Sequence, residues 1–198
     1  MGIGADCVNH DYSQLPPSEY AYLLGLYLGD GYIARSRSTW KLRITMDSQH
    51  EEIIGEACRA MEMLMKNQRA HRLQRKTRCV EISMYSKHWP CLFPQHGPGR
   101  KHQREIGLEA WQQKLVDQAP ERFIRGLIHS DGCRMATLDR GVRSVRYHFK
   151  NRSEDIKRLF CGTLDALGVR WTRPCDTQIA IYRKASVARL DQFVGPKK

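Results

Sequence analysis

Long apolar runs and a secretory leader are both missing from this 198-residue sequence. No run approaches the roughly 20 apolar residues that a membrane-spanning helix needs. The N-terminal stretch MGIGADCVNH lacks the basic and then apolar pattern of a signal peptide. We therefore expect a soluble, intracellular protein with no membrane partner.

Paired cysteines are also missing. The seven cysteines are an odd number without a C-x-x-C pair, so neither a disulfide framework nor a common zinc motif is indicated. We expect reduced thiols that mostly fill the core. A zinc site made of Cys79, Cys91, His96 and His102 stays open as a weaker alternative, because its spacings match no common ligand pattern.

Negative charge is scarce. The 33 lysines and arginines outnumber the 21 aspartates and glutamates, and the formal net charge of +12 points to a polyanionic partner. The basic residues are spread over the whole chain, which favours a broad folded surface over a membrane-lying helix. Hydrophobic residues make up 41% of the sequence, enough for a real core. The expected partner is a nucleic acid.

The sequence contains two copies of one motif. LLGLYLGDG (residues 23–31) and IRGLIHSDG (residues 124–132) are both apolar, helix-like segments that end on a carboxylate and a glycine. A single Asp-Gly pair is a common turn signal, and two capped helix ends are the plain alternative to a functional site. Two copies followed by the same elements indicate an internal repeat, and they single out Asp30 and Asp131.

Periodicity predicts the same element order after both motifs. In the first copy the motif helix is followed by a hairpin, a helix capped by Ser48 that ends near Asn67, a second hairpin and a short closing segment. In the second copy the first hairpin turns at Arg140, and the next helix runs to Leu167. Each copy is therefore α-β-β-α-β-β-α.

These elements predict an α+β fold of two pseudo-symmetric repeats. We place an N-terminal extension at residues 1–17, the first repeat at 18–104, a linker helix at 105–119 and the second repeat at 120–198. Pro120 suits the first turn of the second motif helix, where its fixed φ and missing N–H are tolerated.

Small residues in both motifs allow the two motif helices to pack closely. Residues four apart lie on one helix face, and a face of small residues lets a second helix approach. The residues of this face are Gly25, Gly29, Gly126 and Ser130. Such packing brings the C-terminal ends of both helices together, with Asp30 and Asp131 as neighbours.

Two neighbouring carboxylates indicate a divalent cation, because without one the like charges would force one acid to bind a proton. Mg²⁺ takes oxygen ligands and keeps several waters, so the last helix carbonyls, at Gly29 and Ser130, can join Asp30 and Asp131. Such a centre suits metal-assisted phosphodiester hydrolysis. The histidines lack the paired spacing of a general base beside a metal, and we interpret His129 as a structural residue near the helix interface.

The two motifs resemble those of the LAGLIDADG homing endonucleases, in the single-chain form that carries two motifs. The resemblance covers nearly the whole chain from Ser18, includes the repeat order, and places an acid at the eighth position of each motif. It departs at the sixth position, Leu28 and His129, which varies in the family, and at the second position of the second motif, where Arg125 replaces a small residue.

The resemblance implies a sequence-specific, double-strand DNA endonuclease that acts as a monomer on a long asymmetric site. Its two four-stranded antiparallel sheets form a saddle over the DNA. Mg²⁺ is the implied cofactor, with Mn²⁺ as a substitute and Ca²⁺ binding without efficient cleavage. Such enzymes promote the spread of the intron or intein that encodes them.

The resemblance also implies further site residues. Each half supplies a basic residue after its last helix, for which Lys101 and Lys197 fit by position, with Arg100 or Lys198 as substitutes. Polar residues that position water lie at the end of the second strand, where this chain has Asp47 in one repeat and Lys150 or Asn151 in the other.

The predicted hairpins hold much of the positive charge, which agrees with strands that face DNA. Arginine suits bidentate recognition of guanine and of phosphate, and we expect at least half of these residues to be solvated or to contact phosphate only. The candidate DNA-binding residues are Arg35, Arg37, Lys41, Arg43, Arg72, Arg75, Lys76, Arg78, Arg134, Arg140, Arg143, Arg146, Arg173 and Arg183.

Two other functions stay open. A LAGLIDADG-type protein that kept the fold and lost cleavage, such as an RNA maturase or a transcription regulator, would bind DNA or RNA only. The presence of both acids favours catalysis, and the sequence shows no additional helix-turn-helix region. A basic protein for a structured RNA would explain the charge but leaves the paired motifs unexplained.

Overall fold

The structure, a computed structural model, describes residues 11–75, 77–139 and 141–195. Four residues named above, Lys76, Arg140, Lys197 and Lys198, lie outside these ranges. The helices are α1 (Pro17–Asp30), α2 (Glu51–Leu64), α3 (Trp89–Leu92), α4 (Ala110–Gln118), α5 (Pro120–Asp131), α6 (Glu154–Ala166) and α7 (Lys184–Asp191). The strands are β1 (Gly31–Ser36), β2 (Thr39–Asp47), β3 (His71–Gln74), β4 (Cys79–Ser86), β5 (Gly132–Asp139), β6 (Val142–Lys150), β7 (Thr172–Cys175) and β8 (Gln178–Ile181).

The two repeats have the same architecture. Each runs α-β-β-α-β-β-α, with α4 between them, which confirms the predicted α+β fold. Each repeat forms one four-stranded antiparallel sheet, in the order β1-β2-β4-β3 or β5-β6-β8-β7. The register agrees too, because Gly31 lies opposite Ile44 just as Gly132 lies opposite Phe149.

The first motif helix, α1, is the centre of the core. Every residue from Tyr20 to Leu28 is buried, since α1 packs against α5, α2 and α4 on different sides. Inward-facing strand residues such as Leu42 and Phe149 are also buried, and one apolar cluster extends through both repeats. Each sheet therefore has one face covered by helices and one face left exposed.

The second helix of each repeat starts differently. In the first repeat the Asp47 carboxylate accepts the backbone N–H of Gln49 and extends the turn, so α2 begins after His50 and the predicted Ser48 cap is wrong. In the second repeat the Ser153 hydroxyl accepts an N–H from the first turn of α6 and caps it. Pro120 starts α5, as predicted.

The cysteines differ in part from expectation. Cys91 is disulfide-bonded, so the prediction of reduced thiols is wrong there. Among the described residues, the free thiols are those of Cys58, Cys79, Cys133, Cys161 and Cys175. No three His, Cys, Asp or Glu side chains in the described ranges are grouped to hold a metal ion, which removes the zinc alternative. Nor is any described helix long and apolar enough to cross a membrane.

Candidate functional site

The two motif helices, α1 and α5, contact each other through their small residues. A Cβ atom added at Gly25 would lie 2.5 Å from the backbone of α5. At Gly126 it would overlap the carbonyl oxygen of Tyr22, and at Gly29 it would overlap the hydroxyl of Ser130. The backbones approach so closely that no larger side chain fits at the two central glycines, Gly25 and Gly126.

This packing brings both acids to the same end of the helix pair. Asp30 is the last residue of α1, and Asp131 is the last residue of α5. A Cβ atom at Gly29 would lie 3.1 Å from Oδ2 of Asp131, so this carboxylate lies beside the last turn of α1. Asp30 is exposed and Asp131 is half-buried, which leaves the pair open to solvent and to a substrate.

Lys101 lies against the end of α1. Its ammonium donates hydrogen bonds to the carbonyl oxygens of Gly29, at 2.8 Å, and Tyr27, and it stands 4.9 Å over the centroid of the Tyr27 ring. Burial lowers the pKa of Lys101 to about 8, although the negative charges of Asp131 and Asp30 act in the opposite direction. The lysine thus places a half-buried positive charge within reach of both acids.

Of the three residues suggested for positioning water, one contacts an acid. Asn151 donates from Nδ2 to Oδ2 of Asp131 at 2.6 Å, and its Oδ1 accepts the backbone N–H of Ser153 at 2.7 Å, which fixes the orientation of the amide. Asp47 instead accepts a backbone N–H in its own turn, and Lys150 is exposed at the end of β6. The described site is therefore asymmetric, with a lysine from the first repeat and an amide from the second.

His129, at the sixth position of the second motif, is part of the helix interface. It is buried, and its Nδ1 lies 2.9 Å from the hydroxyl of Tyr22 on α1. The two rings meet edge to face. This placement agrees with a structural histidine rather than a general base.

Arg125, the departure at the second motif position, joins the two repeats. It pairs with Glu56 of α2 at 2.9 Å and donates to the carbonyl oxygens of Phe193 and Val194 at 2.6 and 2.7 Å. Arg122 pairs with the same carboxylate. Burial raises the pKa of Glu56, but hydrogen bonds from Arg125 and Arg122 outweigh it and leave the pKa below its usual value. Nothing in the local sequence around either partner indicates this contact.

Replacing Glu56 with glutamine should destabilise the protein at neutral pH but not in acid. Because the folded-state pKa is lowered, the carboxylate stabilises the fold above its unfolded-state pKa of about 4.3, and this contribution is lost as the pH falls through the folded-state pKa. We expect a loss of about 1–3 kcal/mol at pH 7, since two half-buried guanidinium groups lose their acceptor. Urea unfolding at pH 7 and at pH 3 measures both values, and an equal loss at the two pH values would contradict the ion pair.

The exposed sheet faces carry part of the candidate DNA-binding set. On the first sheet, Lys41 and Arg43 alternate with the buried Leu42 and Ile44, so they extend away from the helices. Arg43 lies 4.8 Å over the ring of Tyr32, on the same face. The candidates exposed at strand ends, in turns or at the start of α7 are Arg35, Arg37, Arg75, Arg78, Arg143 and Arg183, and Arg146 is half-buried on β6.

Three candidates pair with residues of the helices instead, and their contact with DNA stays a prediction. Arg134 binds Asp191 of α7 through two hydrogen bonds of 2.8 and 2.9 Å. Arg72 and Arg173 each pair with the glutamate that begins the helix covering their sheet. Successive strand side chains alternate between faces, so a count of charges on a hairpin does not tell which face an arginine takes. The glutamate at the first position of both helices was the sequence signal that could have identified two of these pairs.

Comparison with known proteins finds the same fold. No family model and no curated protein matches the sequence. Among solved structures, I-DmoI in complex with DNA and Mn has a TM-score of 0.59 at 17% identity, over 90% of this chain and 97% of that one. The LAGLIDADG meganuclease I-AabMI bound to uncleaved DNA gives 0.55 at 11% identity, over 88% and 82% of the chains. The homing endonuclease I-WcaI bound to its DNA recognition sequence gives 0.57 at 12% identity, over 100% and 91%. The chain thus has the LAGLIDADG homing endonuclease fold.

Proposed function

We propose that this chain is a LAGLIDADG-type endonuclease that cuts both strands of DNA at a long, specific site, with divalent metal ions held by Asp30 and Asp131. The observation that carries the proposal is the meeting of both motif acids at the ends of two packed helices, beside a half-buried lysine and an oriented amide. Two Asp-Gly turns that only cap helices would need neither Lys101 nor Asn151 at this point.

The donor atoms at the helix ends fit a hard divalent cation. Asp30 and Asp131 supply carboxylate oxygens, and the last helix carbonyls, at Gly29 and Ser130, are further oxygen donors. The Gly29 carbonyl already accepts from Lys101, which leaves the carboxylates as the main ligands. Within the described ranges no third acid, histidine or cysteine joins them, so water and phosphate would complete the shell, as Mg²⁺ prefers. The structures of I-DmoI with DNA include ones with Mn and with Ca.

The protein residues then have separate roles. Divalent metal, when bound, supplies an activated water and stabilises the leaving oxygen. Lys101 adds a positive charge beside the acids, where it offsets the negative charge that develops on the scissile phosphate. Asn151 holds the Asp131 carboxylate in one orientation. Lys197 stays the proposed counterpart of Lys101, by its position in the sequence.

We propose that the exposed faces of the two sheets bind the DNA. Their strands carry different side chains in the two repeats, for example Lys41 and Arg43 on one and Arg146 on the other. Two unequal halves in one chain suit an asymmetric target and a monomer.

Cleavage of a randomised double-stranded DNA library tests the proposal. The purified protein is incubated with the library in Mg²⁺, in Ca²⁺ and in EDTA, and the cut ends are sequenced. We expect Mg²⁺-dependent cuts at one long motif with short 3′ overhangs, and selective binding without cutting in Ca²⁺. Selective binding without cutting in any metal would make the chain a binding protein on an endonuclease fold. Absence of any selective binding would contradict both functions.

Replacing Lys101 with methionine should slow cleavage by about a hundredfold or more, because a charge placed at the developing negative charge is lost. DNA affinity should change little, since the lysine is half-buried and its hydrogen bonds are to the protein. Single-turnover rates on the selected target measure the effect. The matched control is Lys114→Met, which removes an exposed lysine on α4. Equal rates for the two variants would exclude Lys101 from the reaction.

A further inference from the structure

A carboxylate is buried in the middle of the exposed face of the first sheet. Glu81 lies on β4 between the inward-facing Val80 and Ile82, so its side chain extends to the face away from the helices. Only 4% of the residue is exposed, because each carboxylate oxygen accepts from a cation. Oε1 accepts from Nζ of Lys41 at 2.9 Å, and Oε2 accepts from Nη2 of Arg75.

The two cations come from segments that do not touch in the sheet. Lys41 is on β2 and Arg75 directly follows β3, and β4 lies between these strands. Thr45 and Leu73, which lie opposite Glu81 on either side, are exposed on the same face. Glu81 thus fixes two long basic side chains across the width of the sheet.

The second sheet has a neutral residue where the first sheet has this buried carboxylate. Its register position equivalent to Glu81 is Gln178, because Ile82 lies opposite Ile44 as Ile179 lies opposite Phe149. The sheet can therefore be built with a neutral amide at this point. Formation of the fold does not explain why the first repeat has a carboxylate.

A carboxylate on this face weakens binding to DNA in general. It repels phosphates and neutralises cations that would otherwise release counterions from the DNA. Hydrogen bonds from Arg75 and Lys41 hold the pKa of Glu81 below its usual value, so the group is ionised at neutral pH. The ion pairs instead fix the orientation of the two basic side chains. Recognition of a base edge by arginine or lysine depends on the orientation of the donor.

We propose that Glu81 is a specificity-determining positioning residue, which orients Lys41 and Arg75 toward base edges and lowers affinity for unrelated DNA. This inference rests on the proposed DNA-binding function of the exposed sheet face. It predicts an unusual pair of effects in Glu81→Gln: tighter binding to unrelated DNA together with poorer discrimination.

Equilibrium binding at several salt concentrations tests the inference. The target selected from the library and an unrelated duplex of equal length are each titrated with the wild type and with Glu81→Gln, in Ca²⁺. For the variant we expect several-fold tighter binding to the unrelated duplex, with a salt slope steeper by about two, as each of the two newly available cations neutralises a phosphate. The ratio of the two affinities should fall by about tenfold, the range of one lost base contact.

Two further sets of variants keep the test decisive. Glu121→Gln removes an equal charge that pairs with Arg189 at the far end of α5, and it should leave the affinity ratio unchanged. Lys41→Met and Arg75→Met should lose discrimination at the same base pairs as Glu81→Gln, in a panel of single-substitution targets.

Three results separate the hypotheses. An unchanged affinity ratio in Glu81→Gln, or an equal loss of affinity for both duplexes, would overturn the inference. Loss of discrimination at base pairs different from those of the lysine and arginine variants would also overturn it. A wild-type protein with no preference for any duplex would instead overturn the proposed function.

Discussion

We expect Asp30→Asn and Asp131→Asn each to abolish cleavage of the selected DNA and to leave its binding intact. Asparagine keeps the size of the side chain but removes the negative charge that holds a divalent cation, so we expect the single-turnover rate to fall by at least about a thousandfold. Binding to the target in Ca²⁺ should stay within several-fold of wild type, because the loss of an anion also reduces repulsion from phosphate.

A nicked-substrate assay that reports each strand separately measures both variants. Asp117→Asn, at an exposed position on α4, is the control for a change of one negative charge, and it should cut at the wild-type rate. If either motif variant still cut both strands as fast as this control, the assignment of that acid would be wrong. Loss of binding together with cleavage would point to a folding defect, which thermal unfolding of the same samples would reveal.

Gly126→Ala should cause the largest loss of stability among single-methyl changes in the protein. The new Cβ atom would overlap the carbonyl oxygen of Tyr22, and it would lie 3.1 Å from both Cα of Gly25 and the backbone nitrogen of Leu26. Backbone atoms cannot rotate away as a side chain can, so the two motif helices must separate. Overpacking of this kind costs about 3 kcal/mol or more.

Substitution of a second glycine serves as a control, because it is expected to raise the stability instead of lowering it. Gly162 lies in α6, where an added Cβ atom meets nothing within 4 Å. Gly162→Ala should therefore stabilise the protein by about 1 kcal/mol through helix propensity. Urea unfolding of both variants gives the two values. A Gly126→Ala protein as stable as wild type would show that the motif helices do not meet at these glycines.

Much of the fold could be predicted from the sequence because its signals are local and repeated. Apolar periodicity, turn residues and the two motifs were enough for the element order, and the pairing of α1 with α5 followed from the small residues Gly25 and Gly126. The Ser48 cap was wrong because a carboxylate one residue earlier competes for the turn.

The site was harder to predict where it depends on long-range partners. The placement of Arg134 against Asp191 depends on strand register and on a helix 57 residues away along the chain. The Glu56–Arg125 pair and the two cations on Glu81 likewise join distant segments. Asn151 was one of two neighbours that fitted the end of β6 equally well, and only the turn into α6 decides which of them reaches Asp131.

The central position of α1 also has a consequence for synthesis of the protein on the ribosome. This helix is made before its covering helix α5, which ends at Asp131. Until that point emerges, the nascent first repeat carries an apolar helix whose partner face is uncovered, and its folding cannot be completed one repeat at a time. Contacts of such high sequence separation form slowly, and exposed apolar surface favours aggregation in the meantime. Expression of the first repeat alone should accordingly yield insoluble protein, even though its own sheet and helices are complete.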